Sequence, residues 1–480
     1  MKNDGQITVF LCLVLLSILL LGFTALEIVR VKTGSARAAI AADGAVHSVM
    51  AAYNKPLFQE YHLLAVDREL QGQGEGKLEQ MAQDYMDHTL DGQMEGLSAD
   101  QVELAGYKGL LDDDCDNMKL QISDYMQMYI QMEGTRDLLE MLTVEDESEK
   151  KAVTAIDNGA GEEGDSDSLW LGTDPRDVMD RLRSGGILML VTPGGKEPSA
   201  AEFDMAGLPS ADRDNHDSEM EDIQFDDIET FRRQIQLDDH DSKAGLTDNF
   251  YGICYALQTF GYYTSPVDNR PMSCEVEYMI AGKDNDRDNL KGVVNRIIAH
   301  RLPVNMAYLL TDKSKVATVE AIAFVLSLLP GVTYSATKYL LLGCWAYAET
   351  LADIRIMLAG NNIQMFKDSG TWMTDIENLQ DLINLDNVGY EGADAIGYKG
   401  YLALLLAENS GNMYYRMADL IQLNISRSDE TFDMKNMVYE ISMDVEVAQS
   451  EKFAAFIRDM GGQDVDGNMY RHSFRVTAGY

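Results

Sequence analysis

With 480 residues, 46% of them apolar, the chain is long enough to bury a sizeable core and to form more than one module. Its 39 basic and 79 acidic side chains leave a formal net charge of -40, a field that repels nucleic acid and argues against DNA or RNA as a partner. Residues 1–30 carry Lys2, Asp4, Glu27 and Arg30, which cancel, so the whole acidic excess lies in residues 31–480.

The first predicted element is a membrane helix over residues 7–26, preceded by a short cytoplasmic leader, 1–6. Ile7 to Leu26 is a run without a charged side chain. Its 20 residues span about 30 Å as a helix, the thickness of a bilayer core. Ser17 and Gly22 fit such a helix, since small residues let helices approach closely. A cleaved secretion signal is the competing reading. It needs a shorter apolar core of about 7–15 residues and a small-x-small site, whereas this run is longer and ends GFTALE. The flanking charges, Lys2 and Asp4 against Arg30, Lys32 and Arg37, favour a cytoplasmic C-terminal side, but a long acidic domain can translocate despite them.

The helical pattern continues as an Ala-rich stem over 27–54. Eight alanines fall between Ala36 and Ala52, and no proline occurs before Pro56. Alanine is the best helix former, so one helix is expected from about Gln6 to about Tyr53, with Gly34 and Gly44 as weak points. Residues 55–144 read as helices, among them KLEQMAQDYMDHTL and the Met-striped MKLQISDYMQMYIQMEG, where methionine serves as core filler. Residues 145–168, rich in Glu, Asp, Gly and Ser, read as a flexible acidic linker.

Residues 169–480 are expected to form an acidic α+β domain. Buried strands are predicted at 187–192 and near 274–281, and a closing strand at YRHSFRVTAGY that pairs with them. Residues 201–250 hold fifteen acidic and four basic side chains, a solvated face or, alternatively, a cation-binding loop. Asp284, Asp286 and Asp288 imitate the start of a calcium loop, but Asn289 and Asn295 stand where Gly and Glu are required. A capped helix start explains these acids more simply. Residues 316–360 form a second apolar region, broken by Pro330-Gly331 and closed by Lys338. Neither half reaches the roughly 18–20 residues of a span, so two buried helices are expected, with a re-entrant pair as the alternative.

No sequence pattern of a catalytic, cofactor or metal site is present: there is no GxSxG, HExxH, P-loop or GxGxxG. Glu349, Asp353 and Arg355 lie close enough on one helix to pair, without a nucleophile or base beside them. Five cysteines form no CxxC; Cys254 and Cys274 could bridge, but buried reduced thiols are the simpler expectation. The expected fold is therefore α+β and mainly α: a transmembrane helix continuing into the stem, then a helical domain with a small sheet. A non-enzymatic role is expected, with no cofactor and no metal.

Two resemblances add to this. A leader ending in Gly5, a polar Gln6, the membrane helix and the Ala-rich stem with Ala42-Asp43-Gly44-Ala45 resemble minor pseudopilins of tight-adherence pilus systems. The resemblance implies prepilin-type processing between Gly5 and Gln6 and an outward-facing mature chain. It also implies pilus or secretion assembly proteins as partners. Phe10 departs from the pattern, standing where such pilins usually carry a glutamate. Further on, VEYMIAGKDNDRDNLKGVVNRI, WAYAETLADIRIMLAG, MFKDSGTW, GYKGYLALLL and YRMADLIQLNI resemble a Gram-positive membrane-anchored family of unknown function, across the chain to about residue 440. Its genes tend to accompany tight-adherence pilus and type II secretion-like genes. Together these imply a single-pass protein of the cell membrane with its C-terminal domain outside, acting as a structural or accessory component. The alternative is a tethered binding or sensing domain using its acidic loops.

Overall fold

The computed structural model describes residues 4–70, 76–91, 96–133, 186–195, 197–212, 244–329, 331–376, 388–392, 394–460 and 469–480, with residues 72, 74 and 385 between them. The expected linker, 145–168, and most of the acidic stretch 201–250 lie outside these residues. The described chain is α+β and mainly α, and it divides into two compact units.

The first unit joins Met1–Met118 to Ile425–Tyr480. Its spine is α1, Asp4–Met50, one helix of 47 residues. An 18-residue window of its apolar part has a mean hydropathy of 2.8 and is not buried at all. Length and composition fit a single-pass membrane anchor. The second half of the same helix is a core element. Ala38, Ala41, Ala42, Ala45, Val46 and Val49 recur at helical spacing and are buried. They pack with Leu78, Ala82 and Met86 of α3 (Gly76–Leu90, after the short α2, Lys55–Tyr61) and with the inward face of a sheet. Small side chains on α1 let these neighbours come close.

That sheet is antiparallel and has four strands: β1 (Val66–Asp67), β2 (Leu97–Gly109), β5 (Met437–Ser450) and β6 (Met469–Gly479). β5 is central. β2 pairs with it from Leu97↔Gln449 to Gly109↔Val438, and β6 from Glu440↔Gly479 to Ser450↔Met469. β1 continues the β6 edge at Met437 and Val438. Ile441, Met443, Val445 and Val447 alternate inward along β5 and meet the α1 stripe. The expected closing strand at the C-terminus is present as β6. Its expected partners are not: it pairs with β5 instead. Residues 55–144, expected as helices, include the 13-residue β2.

Gly34 and Gly44 do not interrupt α1. Each is a point of close approach. A Cβ on Gly34 would lie 2.4–2.7 Å from the side-chain amide of Gln449, and one on Gly44 2.7 Å from the Tyr85 hydroxyl. Gln449 is fully buried and cannot swing into water, whereas Tyr85 is partly exposed. Gly34→Leu should therefore destabilise this unit by about 1–3 kcal/mol through overpacking. Gly22→Leu, which meets nothing within 4 Å, should leave the melting point unchanged. Thermal denaturation of both variants in detergent checks the contrast.

The second unit, Lys119–Asn424, is helical. It holds most of α4 (Asp112–Glu133), α5 (Leu188–Val191), α6 (Ala244–Thr259), α7 (Glu275–Ala281), α8 (Asp286–Thr311), α9 (Lys313–Leu326), α10 (Tyr334–Leu358), α11 (Tyr398–Glu408) and most of α12 (Ser410–Ser426). A two-stranded ribbon pairs β3 (Ile363–Gln364) with β4 (Ala395–Ile396). α8 and α10 pack along each other, and α9 folds back on α10. The strands expected at 187–192 and 274–281 are the helices α5 and α7. A short apolar run buried on every side carries no periodicity that separates strand from helix. Gly282 then ends α7 in the left-handed region, at φ 63°, where glycine is favoured.

Candidate functional site at the membrane exit

The apolar run of α1 ends in Glu27, and the chain builds a junction around this residue. Although Glu27 directly follows the predicted span, it is only 5% exposed. Arg30, one turn on, donates to it through Nη2 at 2.8 Å and Nε at 3.3 Å. The carboxylate also accepts the backbone N–H groups of Lys452, at 3.3 Å, and Phe453, at 3.0 Å. Those amides open α13, Phe453–Met460. A carboxylate at a helix N-terminus satisfies amides that have no partner within the helix and meets the positive end of its dipole.

Arg30 also donates to the Ser450 carbonyl at the end of β5. Gln449 donates to the Arg30 carbonyl at 3.3 Å, and its amide oxygen meets His472 Nε2 of β6 at 3.0 Å. One turn towards the membrane, Phe23 stacks on Phe453 with ring centres 5.8 Å apart and meets Phe456 edge-on at 5.6 Å. Phe456 remains 49% exposed. Aromatic rings beside a membrane helix at its exit fit the water–lipid boundary, where such side chains are enriched. The junction thus ties the anchor to the central strand of the sheet.

Gly5 and Gln6, the predicted processing pair, lie in the first turn of α1, and Phe10 is 68% exposed on the same helix. Glu27 is engaged by Arg30 and by the amides that open α13.

In the second unit, two groups of buried charge surround the packed helices. Arg301, fully buried on α8, donates to Asp353 Oδ2 from Nε at 3.1 Å and from Nη2 at 2.7 Å. It also donates to the carbonyls of Met365 and Gln364 at the ribbon. Lys367 lies 2.6 Å from Asp353 Oδ1 and 2.8 Å from Glu349 Oε1. Glu349 in turn accepts the Met373 and Thr374 amides at 2.9 and 2.8 Å. Burial alone would raise the Asp353 carboxyl, but Arg301 and Lys367 more than offset this and hold it below its ordinary range. The pairing expected among Glu349, Asp353 and Arg355 does not occur: Arg355 donates instead to the carbonyls of Leu190 and Thr192. Neighbours on a helix gave way to partners brought in by tertiary packing.

The second group lies on α7. Glu275 pairs with Arg270 at 2.8 Å and accepts the Gly261 amide at 2.7 Å. Glu277 accepts the Tyr263 amide at 2.9 Å and the Tyr398 hydroxyl at 2.8 Å. Its other oxygen is buried without a partner among the described residues. Burial pushes the Glu277 carboxyl up to about 7, only partly offset by those two donors. Asp286 accepts the Ser273 and Cys274 amides at 3.0 and 3.1 Å.

The calcium-like acids are a helix start. Asn285 caps α8 by accepting the Asp288 amide at 2.8 Å, and its own amide nitrogen donates to Asp284 and Asp288. Among the described residues no group of three or more His, Cys, Asp or Glu side chains is placed to hold a metal. Cys254 and Cys274 are buried free thiols. Burial raises both, the first to about 12.

Sequence reading missed α13 and with it the junction. The signal was slight: Phe453, Phe456 and Ile457 at helical spacing in an eight-residue element. No curated protein and no solved structure matches the chain. Residues 167–449, more than half of it, match a family of unknown function, DUF5702, and the chain belongs to that family.

Proposed function

We propose that this protein is a structural or accessory subunit of a tight-adherence-like pilus or secretion apparatus, anchored by α1 with its acidic head outside the cell. In this reading its role is non-catalytic. The observation that carries the proposal is the double use of α1. One unbroken helix is apolar with no buried residue across an 18-residue window of its first half, and is a core element of the head in its second. A subunit that must be pushed or rotated within a membrane needs such a rigid connection, and the Glu27–Arg30–Ser450 junction reinforces it. Gly5 before Gln6, just ahead of the apolar run, supports prepilin-type processing at that bond.

The buried charges of the second unit support a non-catalytic role, since the chain's own groups answer most of them. Intact-mass measurement of the N-terminus, with and without a co-expressed prepilin peptidase, tests the proposal. The expected result is a mature chain beginning at Gln6 only when the peptidase is present. An N-terminus unchanged by the peptidase would remove the pilin-type reading and leave an anchored head.

A further inference from the structure

We propose that the tip of the α9–α10 hairpin, in the second unit, inserts shallowly into the same bilayer that holds α1. The observation is a cluster of large, exposed apolar side chains at that tip, with nothing over them among the described residues. Phe324, Val325, Leu328 and Leu329 are 56–71% exposed, and Tyr339 and Leu340 across the turn are 63% and 67% exposed. The same two helices are well packed further down, where Val319, Leu342, Trp345 and Ala346 are buried with Leu309 of α8. Among the described residues of the hairpin, the large exposed apolar side chains gather at the tip.

Three features identify lipid as the occupant. First, the sequence from Ala321 to Thr337 carries no charge, and the first charges on either side, Glu320 and Lys338, neutralise each other at 2.5 Å. Second, the amides that close α9 are satisfied within the turn, which lowers the cost of burying them in lipid, although the side chain of Thr333 does not cap α10. The amides of Ser327, Leu328, Leu329 and Val332 donate to Ala323, Val325, Leu326 and Leu329 carbonyls at 2.9–3.3 Å, and residue 330 is proline, which has no N–H. The hydroxyls of Ser327 and Thr337 donate to the carbonyls of Phe324 and Thr333.

Third, the hairpin escapes the acidity of the rest of the chain. Residues 312–349 hold Lys313, Lys315 and Lys338 against Asp312, Glu320 and Glu349, three against three, in a chain of net charge -40. A neutral hairpin is not repelled by an anionic membrane surface. Tyr334, Tyr339 and Tyr347, each partly exposed, add the aromatic groups of an interface.

Geometry limits the depth. From Glu320 to Leu329 is nine residues, roughly 14 Å of helix, about half of a 30 Å core. The hairpin therefore enters one leaflet and does not cross. Tethering by α1 keeps the local lipid concentration high, so modest intrinsic affinity is enough. The inference needs the anchor but not the pilus reading.

Full-length protein carrying Cys12→Ser and Cys344→Ser, which removes the two exposed thiols, provides the background for the test. A single cysteine is introduced at Leu328 or, as control, at Lys313 and labelled with an environment-sensitive fluorophore. The protein is reconstituted in vesicles of equimolar phosphatidylcholine and phosphatidylglycerol. The expected result is several-fold stronger quenching of the 328 probe than of the 313 probe by nitroxide-labelled lipid, with the reverse order for aqueous iodide. Equal access of both probes to iodide would overturn the proposal. So would a 328 probe shielded from iodide and lipid alike, which would mean that a second copy of the chain covers the tip.

Discussion

Replacing Asp353 with alanine should unfold the second unit or leave it only marginally stable. The substitution removes the one carboxylate that answers both Arg301 and Lys367, each of which is buried. Arg301 is then left without a carboxylate in a site closed to water, and Lys367 keeps only Glu349. Removing one partner of a buried ion pair costs about 3–5 kcal/mol, a large fraction of the stability of an ordinary domain. The loss comes less from the vanished attraction than from the stranded charge. A joint replacement, Arg301→Met with Asp353→Leu, which leaves Lys367 paired with Glu349, should therefore recover much of what the single change loses. Chemical denaturation of the single and double variants separates the two contributions. If Asp353→Ala melts like the unaltered protein, the network is not buried as described.

The second large effect is a dependence on pH. Glu277 keeps its proton in the folded state up to about 7, whereas the unfolded chain releases it near the ordinary value of 4.5. Between those values the folded protein binds more protons than the unfolded one, so stability falls as pH rises through that window. A rise from 4.5 to about 7 corresponds to about 3 kcal/mol. Burial also raises Glu275, Asp286 and Asp419, and these act in the same direction. The melting temperature should therefore be higher near pH 5 than near pH 8. Glu277→Gln, which keeps the shape and removes the titration, should flatten most of that slope. A slope unchanged in Glu277→Gln would assign the effect to other groups.

The anchor was legible because its signal is long: an uncharged run followed by alanines with no proline until Pro56. The end of α1 at Met50 agrees with that reading within a few residues. The sheet was harder. β5 alternates cleanly as MVYEISMDVEVAQS, yet β2 is broken by irregularities between Ala99 and Gln101 and between Leu104 and Gly106. Each such bulge moves the side chains to the opposite face and scrambles a two-residue period. β1, β2 and β5 are also far apart in sequence, so no local pattern announces that they pair.

The candidate site was legible only in part. Gly5 and Gln6 are a local motif, and so is the end of the apolar run at Glu27. That Glu27 caps α13 depends on residues 425 positions later, and Arg301 meets Asp353 across 52 positions. Such pairs follow from the packing of whole elements. α7 was misread for a related reason: a helix buried on all sides has no polar face to reveal its period.

The central claim is that α1 crosses the membrane and continues, without a break, into a head outside the cell. Labelling intact cells with a membrane-impermeant maleimide tests it most directly, in the Cys12→Ser, Cys344→Ser background. Ile40, 73% exposed on the stem, and Leu19, 48% exposed within the apolar run, are each replaced by cysteine. The expected result is labelling at position 40 on intact cells and none at position 19 under any non-denaturing condition. Labelling at position 40 only after lysis would place the head in the cytoplasm, and ready labelling at position 19 would contradict the membrane span itself.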